Sequence, residues 1–216
     1  MRLFFLFLGI LSPQLLLAQF NSFAPGSYVL ASSPTVRHET NLKLRDNGQL
    51  VAKGPDGKNL KLSPEDVSSF RLGPQKFITA GGFETGTGLG GDFVSRAFVE
   101  QLDSGRIMLL RYQYPVNGSP PMMGADGRMM GGPSRPPDLY LLRNGYSITP
   151  IPANGRTGTA GGKKFREALL PYLRARPDLV GLLNDKHILE EDLPAVVRAL
   201  NTGQPMPPTP AYLNRE

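Results

Sequence analysis

Two methionine pairs, Met122-Met123 and Met129-Met130, are the residues of this 216-residue chain whose type and spacing most directly suggest chemistry. A thioether is a soft ligand that favours Cu(I), and two pairs within one loop have the reach to wrap a single ion. No histidine or cysteine stands beside them, so such a site rests on thioethers alone. Met122, Met123, Met129 and Met130 are therefore a candidate soft-metal site.

Other motifs carry less. Gly86-Thr87-Gly88-Leu89-Gly90-Gly91 satisfies G-x-G-x-x-G. A dinucleotide site further needs a strand before it, a helix after it and an acidic residue about 20 positions on, inside a βαβ unit. Asp103 is placed for the last, but no β-α alternation surrounds it, and the stretch reads as a flexible glycine loop. Gly161-Gly162-Lys163-Lys164 fails as a phosphate-binding loop, because Thr157 stands where the first glycine belongs and Lys164 where Ser or Thr belongs. His38 and His187 are the only histidines and lie in unrelated segments without an H-E-x-x-H pattern, so zinc chemistry lacks ligands. No G-x-S-x-G elbow offers a serine nucleophile either. A carboxylate-pair hydrolase is the enzymatic alternative, resting on Glu84, Asp92, Glu100 and Asp103 converging in space.

The elements that must position these residues divide at about residue 152. From Gly26 to Pro150 the chain shows short apolar-alternating runs punctuated by Asp46-Asn47-Gly48 and Gly54-Pro55-Asp56-Gly57, which supply the backbone conformations hairpin turns need. Strands are expected at 26–31, 41–45, 49–53, 59–62, 69–72, 76–80, 107–112, 139–143 and 146–151. Ser63-Pro64-Glu65-Asp66 reads as a one-turn helix start, with Ser63 as cap and Asp66 reaching back to it. The segment 93–102 fits either a strand or a helical face, and the Asp103-Ser104-Gly105 turn favours a hairpin. Residues 115–137 have no periodicity and almost no aliphatic side chains, so they are expected to form a disordered Met/Gly/Pro insertion.

Beyond a glycine-rich linker the period becomes helical. Phe165, Ala168, Leu169, Tyr172 and Leu173 form one stripe, with Pro171 on another face. Pro177 opens a second helix carrying Leu179, Leu182 and Leu183. A third follows Glu190-Glu191-Asp192, buries Leu193, Val196, Val197 and Leu200, and ends at Gly203. The fold class is thus α+β: an antiparallel β domain over 19–152, a linker and helices over 153–203, and a proline-rich disordered tail over 204–216.

Residues 1–18 read as a secretory signal peptide. Arg2 supplies its positive end, Leu3 to Leu11 its apolar core, and the pattern predicts a cut after Ala18. The apolar run is too short to span a bilayer. Export with no cysteine implies neither disulfides nor a lipid anchor at the mature N-terminus. The formal net charge is +6, and losing Arg2 with the leader leaves +5, mild for a nucleic-acid partner. The basic residues are spread along the chain, with one modest cluster at Lys163, Lys164, Arg166, Arg174 and Arg176 that reads as a solvated helix face.

The segments LSPEDVSSF (62–70), AFVEQLDSGRIMLLRYQY (97–114), YLLR (140–143), KFREALLPYLRARPDLVGLL (164–183) and DLPAVVRALNTG (192–203) together resemble small exported proteins of unknown function from Bacteroidetes-type Gram-negative bacteria. The resemblance implies a periplasmic or secreted location and a β-rich domain with terminal helices. It assigns no catalytic residue. The expectation is a non-enzymatic binding module without a cofactor, whose partner is an envelope protein or polysaccharide.

Overall fold

The structure, a computed structural model, describes residues 22–85, 91–114, 138–152 and 162–207, with the backbone alone of 122–123 and 129–130. In chain order the strands are β1 (Ala24–Leu30), β2 (Arg37–Leu44), β3 (Leu50–Lys53), β4 (Asn59–Leu62), β5 (Val67–Leu72), β6 (Gln75–Ala80), β7 (Phe83–Glu84), β8 (Phe93–Val94), β9 (Ala97–Asp103), β10 (Ile107–Tyr112), β11 (Met122–Met123), β12 (Met129–Met130), β13 (Leu139–Asn144) and β14 (Ser147–Ile151). Helices α1 (Lys163–Leu173), α2 (Pro177–Asn184) and α3 (Leu193–Thr202) follow. The chain is α+β, as its periodicities predict. Among the described residues no helix is long and apolar enough to cross a membrane.

Ten strands form one antiparallel sheet in the order β14-β13-β10-β9-β6-β5-β1-β2-β3-β4. Most neighbours are consecutive hairpins, because the connecting turns carry residues that tolerate positive φ: Gly48 at 78° and Gly57 at 76°. The chain breaks that order once, after β4, when β5 returns to the free side of β1. Two small hairpins, β7–β8 and β11–β12, lie outside the main sheet.

The expected helix turn at 63–66 does not form. Asp66 does reach back, accepting from the Ser63 amide at 2.8 Å and its hydroxyl at 2.7 Å. The following residues Val67, Phe70 and Leu72 are buried at period 2–3 and join the sheet, so only a turn survives. The ambiguous segment 93–102 is extended, as β8 and the start of β9.

Side-chain alternation gives the sheet two faces. On the inner face one register row crosses eight strands, reading His38, Tyr28, Phe70, Phe77, Glu100, Arg111, Tyr140 and Ile151. Its apolar end belongs to a cluster with Leu42, Leu50, Leu62 and Phe98, in which Phe70 and Phe77 stack at 4.5 Å between ring centroids. At the other end Leu109, Leu142 and Ile151 pack beneath the helices, meeting Phe165, Leu169, Leu179, Leu193 and Val197. A third cluster, with Val99, Leu110 and Leu141, lies on the outer face and includes Phe83 of β7.

The helices dock by polar contacts as well. Asn201 of α3 treats Ile107 as a strand would: its Oδ1 accepts from the Ile107 amide at 3.0 Å, and its Nδ2 donates to the Ile107 carbonyl at 2.8 Å. Arg176 donates to the carbonyls of Ala199 (2.7 Å) and Gln204 (2.9 Å), and Met206 packs on the helical core. The tail expected to be disordered from 204 is therefore held in place through its first residues; 208–216 lie outside the described residues.

Candidate functional site

Two polar sites emerge from this framework. The first interrupts the inner-face row. Glu100, only 6 % exposed, accepts from Gln75 Nε2 at 3.0 Å, from Arg111 Nε at 3.0 Å and from Arg111 Nη2. Arg111 also lies 3.6 Å from Asp138. Burial works against the charged guanidinium, but its bonds to Glu100 and the charges of Glu100 and Asp138 outweigh it, so its pKa stands above the ordinary arginine value. Burial likewise raises the Tyr140 hydroxyl, with Arg111 opposing and Glu190 and Asp138 adding. Glu100 is thus buried with its carboxylate bonded to Gln75 on β6 and Arg111 on β10. The cluster joins the aromatic half of the row to the helix-covered half.

The second site is open. Between α1 and the ends of β10, β13 and β14 lies a cleft of about 560 Å³, of the size that holds small ligands. Arg106, Asn144, Ser147, Glu167, Tyr172 and Arg174 line it. Tyr172 sits on the amphipathic stripe of α1, so its ring is anchored by the core while its hydroxyl reaches Thr149 Oγ1, to which it donates at 2.6 Å. Arg106, Asn144, Ser147 and Arg174 are exposed. The wall thus combines amide, hydroxyl, guanidinium and carboxylate groups with one aromatic ring and the apolar side chains of Ile107, Ala168, Pro171 and Ala175, so it can hydrogen-bond a polar ligand and pack against its apolar faces.

The residues singled out from sequence fall elsewhere. Met122 stands opposite Met130 and Met123 opposite Met129 in the β11–β12 ladder. The backbone register thus sets these four positions out as two cross-strand pairs. Residues 86–90 of the glycine loop lie outside the described residues, but the strands flanking them, β7 and β8, are antiparallel to each other. The strand-loop-helix frame of a dinucleotide site is absent there. Glu84 and Asp92 are on that hairpin, where Thr85 accepts from and donates to Asp92. Glu100 is in the inner-face row, and Asp103 faces α3, 3.4 Å from Asn201 Nδ2 and 3.5 Å from Arg198. The four carboxylates thus occupy three separate places.

His38 stacks on Tyr28 at 4.9 Å in β2, while His187 follows α2, its amide donating to the Leu182 carbonyl. Among the described residues no three His, Asp or Glu gather as a metal site. The basic cluster at 163–176 separates as well: Lys163 pairs with Glu167, Arg176 with Asp178, and Arg174 lines the cleft. Of the cleft residues, the sequence flagged Tyr172 and Arg174 only as core and solvated face. Asn144 and Ser147 flank a tight turn and carry no signal of their own. No protein-family model, curated protein or solved structure matches this chain.

Proposed function

We propose that this chain is an exported, non-enzymatic binding module of the Gram-negative envelope, related to the small exported Bacteroidetes-type proteins its segments resemble, and that it holds a polysaccharide segment in the cleft under α1. The cleft carries this reading: it is open, ligand-sized and walled by Asn144, Ser147, Tyr172 and Arg174. Binding is favoured over hydrolysis because Glu167 is the only acid among the described lining residues, and the four carboxylates weighed for hydrolysis lie on the β7–β8 hairpin, in the inner-face row and against α3. The test is calorimetric titration of oligosaccharides from the native envelope into the wild type and Asn144→Ala/Arg174→Ala. The double variant is expected to bind at least about tenfold more weakly, the worth of one hydrogen bond to a charged group. Equal binding removes the cleft from the reading, and shortening of the oligosaccharide removes the non-enzymatic part.

A second reading, soft-metal binding, is supported by the β11–β12 register, since positions directly opposite in an antiparallel pair lie about 5 Å apart, within the span of two ligands on one ion. Cu(I) titrated under reducing conditions should bind the wild type and not a variant with Met122, Met123, Met129 and Met130 changed to leucine. Equal binding by both eliminates it.

A further inference from the structure

The outer face of the first six strands concentrates charge that the sequence scatters. Alternation places Arg37 and Lys43 of β2, Lys53 of β3, Lys61 of β4, Arg71 of β5 and Lys76 of β6 there, opposite the apolar cluster of Tyr28, Leu42, Leu50, Phe70 and Phe77. The only acid these strands add to that face is Glu39. Arg37, Lys61, Arg71 and Lys76 are exposed. None of the six cations has a carboxylate within ion-pair distance among the described residues.

One register row on this face reads Glu39, Ser27, Arg71 and Lys76. At its centre is a hollow of about 20 Å³ lined by Ser27, Arg37, Arg71 and Lys76, room for a single oxygen atom. Ser27 at its floor is 8 % exposed, and its hydroxyl oxygen accepts from Arg37 Nη1 at 3.5 Å. A guanidinium, a second guanidinium and an ammonium around one hydroxyl suit one oxygen of a phosphate.

We infer that this face docks on an anionic phospholipid surface, with a headgroup phosphate oxygen seated over Ser27 between Arg37, Arg71 and Lys76. The cations favour a lipid array over a linear polyanion because they spread in two dimensions. From strand spacing and rise they cover roughly 24 Å across the strands, from Lys61 to Lys76, and roughly 20 Å along β2. A chain-like ligand would meet one line of them, whereas a leaflet presents phosphates over the whole area. The surface is on the other side of the sheet from the helices, and the inference does not depend on the cleft.

Cosedimentation of the purified protein with vesicles tests it, comparing phosphatidylcholine alone with phosphatidylcholine containing phosphatidylglycerol. Binding should appear with the anionic lipid and weaken with salt. Arg37→Gln/Arg71→Gln/Lys76→Gln should weaken it about a hundredfold, at about fivefold for each cation removed from an anionic surface. All three side chains are exposed, and circular dichroism verifies that the variant is folded. Lys163→Gln/Lys164→Gln/Arg166→Gln removes the same charge from α1 and should stay within about twofold of wild type by the same reckoning. Inorganic phosphate should compete no better than sodium chloride of equal ionic strength, since one anion cannot replace an array. The inference is overturned by equal binding to both vesicle types, by equal losses in the two triple variants, by displacement with inorganic phosphate alone, or by binding to dextran sulfate without binding to vesicles.

Discussion

Replacing Asn201 by alanine should unfasten α3 from the β9–β10 hairpin, and the structure sets the size of the effect. Asn201 supplies the partner of both the amide and the carbonyl of Ile107, a residue 2 % exposed. Leaving a buried polar group unmatched costs about 1–3 kcal/mol. Two such groups at a partly wetted strand end come to about 3 kcal/mol, a large share of the roughly 5–15 kcal/mol that holds a domain folded. The same contact explains Gly105. A Cβ there would stand 2.4 Å from Asn201 Cγ, closer than atoms can approach, so Gly105→Ala alone must push the amide off Ile107. With Asn201 already alanine the clash is gone, and Gly105→Ala should add almost nothing. Urea unfolding of the two single variants, the double variant and the wild type measures the coupling, expected near 2 kcal/mol and well beyond the roughly 0.5 kcal/mol scatter of independent sites. Additive losses, or an Asn201→Ala loss below about 0.5 kcal/mol, would mean that Asn201 does not fasten α3 to Ile107.

Arg111→Met should destabilise by about 3 kcal/mol, the lower end for breaking a buried pair, because Arg111 keeps 26 % of its side-chain surface in water while Glu100 keeps 7 %; a Glu100→Gln/Arg111→Met variant should recover most of that loss in the same unfolding assay. Burial raises the hydroxyl pKa of Tyr112, Tyr114 and Tyr140 above the ordinary 10.0. The folded state therefore holds these protons longer, so their contribution is complete below pH 10.0 and is lost as pH climbs through the raised values. Thermal melts should hold level through neutral pH and drop above 10.0, and Tyr112→Phe/Tyr140→Phe should flatten that drop. N-terminal sequencing of protein recovered from the periplasm or medium should begin at Gln19; a chain retaining Met1 in the cytoplasm would contradict export.

Much of the fold was legible because period-2 and period-3.6 patterns survive in single segments. The runs at 59–62 and 107–112 match β4 and β10, and the stripe of Phe165, Leu169 and Leu173 is the buried side of α1. Two-residue strands such as β7 and β8 have no period to detect. At 63–66 the local helix signals are real, and Asp66 honours them, but Val67 to Leu72 gain more by pairing with both β1 and β6. The site was harder to see, because both polar surfaces depend on register. Glu100 and Arg111 meet only once β9 and β10 are aligned. Arg37, Lys61, Arg71 and Lys76 look scattered until alternation and strand order put them on one face. The cleft draws on a turn at 144–147 and a helix that share no sequence pattern.

The central claim is that the cleft under α1 is a binding site. Amide NMR of the isotope-labelled protein, titrated with soluble polysaccharide from its native envelope, tests it most directly. Saturable shifts are expected at Arg106, Asn144, Ser147, Tyr172, Arg174 and their neighbours alone, with the polymer recovered intact. Shifts centred elsewhere, no shifts at all, or a shortened polymer would contradict it.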